Sequence, residues 1–287
     1  MTSSAKTGDG RYRGIDGELH YRWWSAPEPS WVVLLAHGFG DHTGSWRRYA
    51  ARLVDAGGAV VACDHRGHGL SDGPRAVIED FDIVAQEYLG VLEATPLPAN
   101  APVVLAGHSM GGLIAARAAT IRPDAARGVV LSATQLGAWP VAENVLNAIT
   151  HGEPIPAEAR GHILLDPDTT FDPTTLSRDR TFTDSFEGDE LRYIGPFPAE
   201  TLRAWLAVGK GWEALPDGAL ELPTLYLHGS ADPMLSHRVS VATLARIVRA
   251  DLEVRIFPGA RHSIYNETNR DEVFDVLTGF LSRVSLR

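Results

Sequence analysis

A single cysteine, Cys63, excludes an internal disulfide and any metal site built on paired thiolates. It sits in the apolar run AVVACD, where a small buried hydrophobe is its simplest role. His65 and His68 stand i, i+3, but no third ligand accompanies them, so no metal site is expected. No run of Lys and Arg occurs, and the formal net charge is -10, so a nucleic-acid partner is not expected. No window approaches the roughly 20 apolar residues of a membrane-spanning helix. The longest apolar runs, such as WVVLLA, have the length of a strand. The opening MTSSAKTGDGRYRG carries no apolar stretch of the secretory kind. These absences point to a cytoplasmic protein without a transmembrane segment, acting on a small or neutral substrate.

What is present is core. The 287 residues are 44% hydrophobic, enough for one large domain or a domain with an insertion. Apolar runs without alternation occur at 31–38, 59–64, 102–107, 128–134, 223–229 and 252–259. Val- and Leu-rich runs of this kind are how strands buried on both faces read. Between them lie helix-period stripes: Trp46, Tyr49, Ala50, Leu53 and Val54; Phe81, Val84, Tyr88 and Leu92; Val273, Val276, Leu277, Phe280 and Leu281. Alternating strands and helices predict an α/β fold, a mostly parallel eight-stranded sheet with helices on both faces. The first segment instead predicts a hairpin around Ile15-Asp16-Gly17, an antiparallel edge.

From about Gln135 to Leu222 no buried strand is evident, and prolines recur. A structureless loop of that length is improbable inside a compact domain. The expectation is a core of residues 1–134 and 223–287, interrupted by a helical cap at 135–222 with helices near 139–149 and 199–214.

Two pentapeptides fit G-x-S-x-G: Gly107-His108-Ser109-Met110-Gly111 and Gly69-Leu70-Ser71-Asp72-Gly73. A nucleophile elbow needs a strand before it, a helix after it and small neighbours two positions away. Ser109 has PVVLA before it and GGLIAARAATI after it. Ser71 follows the loop DHRGHG and precedes Asp72-Gly73-Pro74, which favours a turn, so its expected role is structural. A serine needs a base, and the base an orienting acid; on such a fold they follow the nucleophile as acid, then histidine. Asp232, just past the strand PTLYLHG, and His262, past the last strand, fit that order. Glu267 and Asp251 are the competing acids, each read as a solvated surface charge. The oxyanion needs two backbone donors. Met110, after the nucleophile, supplies one; Phe39, in the loop His37-Gly38-Phe39-Gly40, supplies the other.

HGFGDH at 37–42, DHRGHGLSDG at 64–73, GHSMGG at 107–112, LHGSADPM at 227–234 and GARHSIYNE at 259–267 occur in that order. Together they resemble the α/β-hydrolase fold family, and within it the monoacylglycerol lipase and lysophospholipase-like serine hydrolases. The resemblance implies Ser109, Asp232 and His262 as a catalytic triad, Phe39 and Met110 as oxyanion donors, and a cap that forms an acyl groove. No cofactor is implied. Asp41 stands where the family often has Glu, Ser263 where it often has Glu or Val, and the cap is unusually polar and proline-rich. Trp139, Leu146, Trp205 and Trp212 either line the groove or form the cap's own core. The expected substrate is a small-molecule or lipid ester, monoacylglycerol first. A short-chain carboxylesterase, a peptidase releasing N-terminal residues and a carbon–carbon bond hydrolase are the alternatives. A silent binding protein would be expected to have lost part of this machinery. The helix near 139–149 offers a face for peripheral membrane contact.

Overall fold

A computed structural model describes residues 5–98, 100–137, 143–160 and 171–286. The expected hairpin opens it: β1 (Lys6–Gly14) and β2 (Gly17–Ser25) pair antiparallel, with Gly14 opposite Gly17. The apolar runs follow as β3 (Val32–Ala36), β4 (Ala59–Cys63), β5 (Val103–His108), β6 (Gly128–Ser132), β7 (Thr224–Gly229) and β8 (Leu252–Phe257). The sheet order is β1-β2-β4-β3-β5-β6-β7-β8, and every pairing from β4 to β8 is parallel.

The strands β3 to β7 are buried on both faces because their side chains alternate with a period of two, whereas β8, at the sheet edge, departs from the expectation and leaves Arg255 exposed. Leu34, Val61, Leu105 and Leu131 point to one side, where they meet Tyr88 and Leu113. Val33, Val60, Val104 and Val130 point to the other, where they meet Leu53 and Phe280. The first face is covered by α2 (Phe81–Gly90) and α3 (Met110–Ile121), the second by α1 (Arg47–Asp55) and α8 (Arg270–Ser285). Between β6 and β7 the described residues form α4 (Glu143–His151), α5 (Arg180–Thr183) and α6 (Ala199–Ala214), with 3-10 turns and no strand. Of the helix expected near 139–149, residues 143–149 are helical in α4, which runs on to His151, and residues 138–142 lie outside the described residues. Helix α7 (His237–Ile247) joins β7 to β8. No helix among the described residues is long and apolar enough to cross a membrane.

The second G-x-S-x-G serine has the structural role expected of it. Ser71 Oγ donates to the Asp64 carbonyl at 2.5 Å and accepts from His20 N at 2.8 Å, tying the loop after β4 to β2. The Asp64 carboxylate accepts from Thr43 N (2.6 Å), Leu70 N (2.9 Å) and the His20 ring (3.0 Å). Burial alone would raise its pKa; the hydrogen bond from His20 and the backbone donors of Thr43 and Leu70 outweigh it and hold the carboxyl well below the usual range. A depressed folded value contributes stability above the unfolded value of about 3.9, and that contribution is lost as pH falls through the folded one. Thermal unfolding between pH 7 and pH 3 should therefore show a midpoint that drops as acid is added. Asp64→Asn should lower the midpoint at pH 7 and flatten its dependence on pH; an unchanged slope would contradict this.

Candidate active site

Ser109 lies between β5 and α3 with φ 55° and ψ -119°, a conformation that side-chain-bearing residues avoid. Two neighbours make it sterically feasible. A Cβ on Gly107 would come within 1.9 Å of the Gly111 carbonyl oxygen, and one on Gly111 within 2.0 Å of the Ala36 carbonyl oxygen. Backbone bonds hold the strained residue: Ser109 N donates to Ser132 O, and Gly112 N to Ser109 O, both at 2.9 Å. The serine is thereby pushed out at the C-terminal edge of the sheet, beside the point where β4 and β5 depart on opposite sides of β3, the usual position for ligands in open α/β sheets. Met110 begins α3, so its N–H belongs to the first turn, which has no intrahelical acceptor.

Asp232 follows β7, and its Oδ1 accepts from Met234 N (2.8 Å) and Leu235 N (3.1 Å). Its Oδ2 lies 2.8 Å from His262 Nδ1 and 3.1 Å from His228 Nε2. Burial would raise this carboxyl, but the charge of His262 and hydrogen bonds from His228 and His262 prevail and hold it far below the ordinary carboxylate range. An ionised carboxylate only accepts, so His262 Nδ1 carries a proton, and in the neutral ring Nε2 is then the nitrogen with the lone pair. His262 and Ser109 line the same cleft. His228, the strand histidine of LHGSADPM, is the second imidazole on that carboxylate.

The loop after β3 borders Ser109: a Cβ on Gly38 would lie 3.3 Å from Ser109 Cβ. His37 Nδ1 meets the Gly38 carbonyl at 2.8 Å, and its Nε2 accepts from His65 N at 3.1 Å. The imidazole thus pins the loop to the turn after β4. Burial lowers the His37 pKa and keeps the ring neutral, as the accepting nitrogen requires. The Phe39 ring stands edge-on to Phe197 (4.3 Å) and Tyr193 (5.6 Å). His108, next to Ser109 in the chain, packs 5.0 Å from the His262 ring; burial and that neighbour push its pKa down to about 3.

The far wall comes from the segment between β6 and β7. Phe171, Leu176, Phe182, Phe186 and Trp205 line the cleft. Arg192 stacks 3.7 Å over Phe186 and pairs with Asp41 (3.3 Å) and Asp189 (3.1 Å). Of the aromatic and apolar residues singled out in the sequence, Trp205 reaches the cleft. Trp212 shares its stripe on α6 but stands about 10 Å further along the axis, buried against the core beside a separate groove under Phe81. Leu146 packs half-buried on the core, and Trp139 lies outside the described residues. Glu267 departs from expectation: it is wholly buried, with Arg178 as its ion-pair partner at 2.8 Å. That partner lies 89 residues earlier, which no local pattern reveals.

Residues 27–269 match the family described as serine aminopeptidase, S33. A monoacylglycerol lipase of Mycolicibacterium smegmatis is 29% identical over 288 residues, which cover 98% of this chain and 99% of that protein. The monoglyceride lipase of Homo sapiens is 30% identical over 270 residues, 90% of this chain and 82% of that one. Among solved structures, the monoacylglycerol lipase of Paleococcus ferrophilus superposes with a TM-score of 0.71 at 25% identity, covering 93% of this chain and 99% of that one. With the strained serine, the parallel sheet and a family match over most of its length, the chain belongs to the serine aminopeptidase S33 family of α/β-hydrolases.

Proposed function

We propose that the protein hydrolyses carboxylic esters of a single acyl chain, monoacylglycerol first among them, through an acyl-enzyme on Ser109. The observation that carries the reading is Ser109, held at φ 55° in an aromatic-walled cleft that it shares with the Asp232-bound His262. His262 Nε2 takes the Ser109 proton as Oγ attacks the ester carbonyl. Asp232 holds the imidazole tautomer and stabilises the imidazolium. The N–H groups of Phe39 and Met110 receive the oxyanion. His262 returns its proton to the leaving alcohol, and water then releases the acid by the same steps in reverse order. No cofactor enters this sequence.

The described residues between 135 and 222 are read as a cap over the sheet's C-terminal edge. Its polar composition hides an apolar inner face, since Phe171, Leu176, Phe182 and Trp205 line the cleft. An acyl chain fits such a wall. A peptidase acting on N-termini needs a carboxylate to hold the substrate ammonium. Among the described cleft residues Asp41 is the carboxylate on offer, and its oxygens are taken by Ser45 Oγ (2.6 Å), Trp46 Nε1 (2.8 Å) and Arg192 (3.3 Å). The ester reading is therefore favoured over the aminopeptidase one.

The test is a panel of monoacylglycerols, 4-nitrophenyl esters of graded length and aminoacyl amides. Turnover of monoacylglycerols with medium or long chains, and none of the amides, is the expected result. Inert esters with reactive amides would overturn it.

A further inference from the structure

Glu267 sits on the loop that carries His262, and its two oxygens serve two different parts of the molecule. Oε1 accepts from Arg261 N (2.8 Å) and Arg178 N (3.1 Å); Oε2 accepts from Arg178 Nε (2.8 Å) and Thr268 N (3.0 Å). Arg261 and Thr268 belong to the histidine loop, whereas Arg178 comes from the segment between β6 and β7. Around this carboxylate the two segments are joined repeatedly. Ser263 N donates to Leu176 O at 2.7 Å, Ser177 Oγ to Asn266 O at 2.8 Å, and Arg270 Nη1 to Asp179 Oδ2 at 2.7 Å. Arg261 reaches the Thr174 carbonyl.

The pattern brackets one residue. The N–H before His262 is fixed by Glu267, and the N–H after it by Leu176. Backbone rotation on either side of the imidazole is thus restrained by groups outside the residue itself. Leu176 and Ser263 are also cleft-lining residues, so the bonds that set the histidine set part of the acyl wall. A solvated surface charge has no need of four donors; a fully buried carboxylate that has them is a rigid hub.

We propose that Glu267 is a positioning residue that, with Arg178, locks the His262 loop to the 174–179 segment, so that base orientation and acyl-wall position are set as one unit. This rests on His262 being the base, as the proposed function has it. Glu267 touches no substrate; it acts through the peptide on the N-terminal side of His262 and through the Leu176 wall.

Glu267→Gln on the full chain tests it. The amide keeps one accepting oxygen and turns a donor against two of the four N–H groups. The expected result is a fall in kcat on a short, soluble 4-nitrophenyl ester on the order of 10²-fold, the effect of a small misplacement of a reacting group. KM should move less than about threefold on this substrate, since a short ester makes little use of the acyl wall. The rate of fluorophosphonate labelling should fall with kcat. Arg178→Met keeps the Arg261, Thr268 and residue-178 backbone donors on the carboxylate and removes only the side-chain bond from the cap side, so the ratio of long-chain to short-chain turnover should fall more than kcat does.

If Glu267→Gln fails to fold, Arg178→Met reads the device on its own, and an unchanged chain-length ratio there overturns it. A folded Glu267→Gln with kcat and labelling rate within twofold of wild type, beside a dead His262→Ala, overturns the positioning role alone. An active His262→Ala overturns the functional reading and this proposal with it.

Discussion

Ser109→Ala is expected to lower kcat by on the order of 10⁶-fold while the protein stays folded. The size follows from the role: without Oγ no acyl-enzyme forms, and what remains is the acceleration that binding and the oxyanion donors give to water. Folding should survive because the bonds that hold the elbow are made by the backbone. Ser109 N to Ser132 O and Gly112 N to Ser109 O persist in the variant, and alanine meets the same φ of 55° with a side chain no larger. The measurement is initial rate on a 4-nitrophenyl ester, with mass spectrometry of fluorophosphonate-treated protein. Wild type should gain one adduct, on Ser109, and the variant none. Ser71→Ala is the informative control, since Ser71 sits in the same five-residue pattern. Its hydroxyl bridges Asp64 O and His20 N, so that variant should lose stability and keep its adduct. An adduct on Ser71, or Ser109→Ala within tenfold of wild type, would sink the assignment.

The contrast between the two serines shows what a sequence can carry. The pattern G-x-S-x-G is ambiguous here, but the context of each match is local, and local context is legible. A strand of five apolar residues with no alternation, followed by helix formers, fixes where Ser109 stands. The sheet was readable for the same reason, because strands buried on both faces leave continuous Val- and Leu-rich runs. Chain order singles out Asp232 and His262, each past a strand, and the structure brings the two within 2.8 Å. What escaped are pairings between segments far apart in the chain. Glu267 resembles a surface charge until Arg178 arrives from 89 residues away, and His42 meets Asp189 across 147. The aromatic wall of the cleft escaped for a second reason. Phe171, Phe182 and Phe186 stand in a proline-rich stretch with short turns, where no helical or strand period sorts inner from outer faces. Conversely Trp212 obeys the period, lying on the Trp205 stripe of α6, and is still remote from the cleft, because a stripe tells which face is buried and not what covers it.

Asp232→Asn is expected to lower kcat by about 10⁴-fold, the scale seen when the acid of such a triad is replaced by its amide. The local bonding predicts how. Oδ1 of Asp232 accepts from Met234 N and Leu235 N, so the asparagine oxygen stays there and its NH₂ replaces Oδ2. That NH₂ then faces two imidazoles, His262 Nδ1 and His228 Nε2. His228 Nε2 also lies 3.0 Å from the Leu235 carbonyl, which only accepts, so it must carry a proton and meets the amide donor to donor. His262 can satisfy the new donor only by turning Nδ1 into an acceptor, which moves its proton to Nε2. The nitrogen that should take the Ser109 proton is then already protonated. KM should change little, because the side chain faces the two histidines and not the ester. Labelling by fluorophosphonate should slow by the same factor as kcat, since both need the same base. The opposed donors should also destabilise the fold by about 1–3 kcal/mol, readable as a lower thermal midpoint. A folded Asp232→Asn with kcat within tenfold of wild type would show that Asp232 does not set the tautomer of His262, and the acid would have to be sought elsewhere in the cleft.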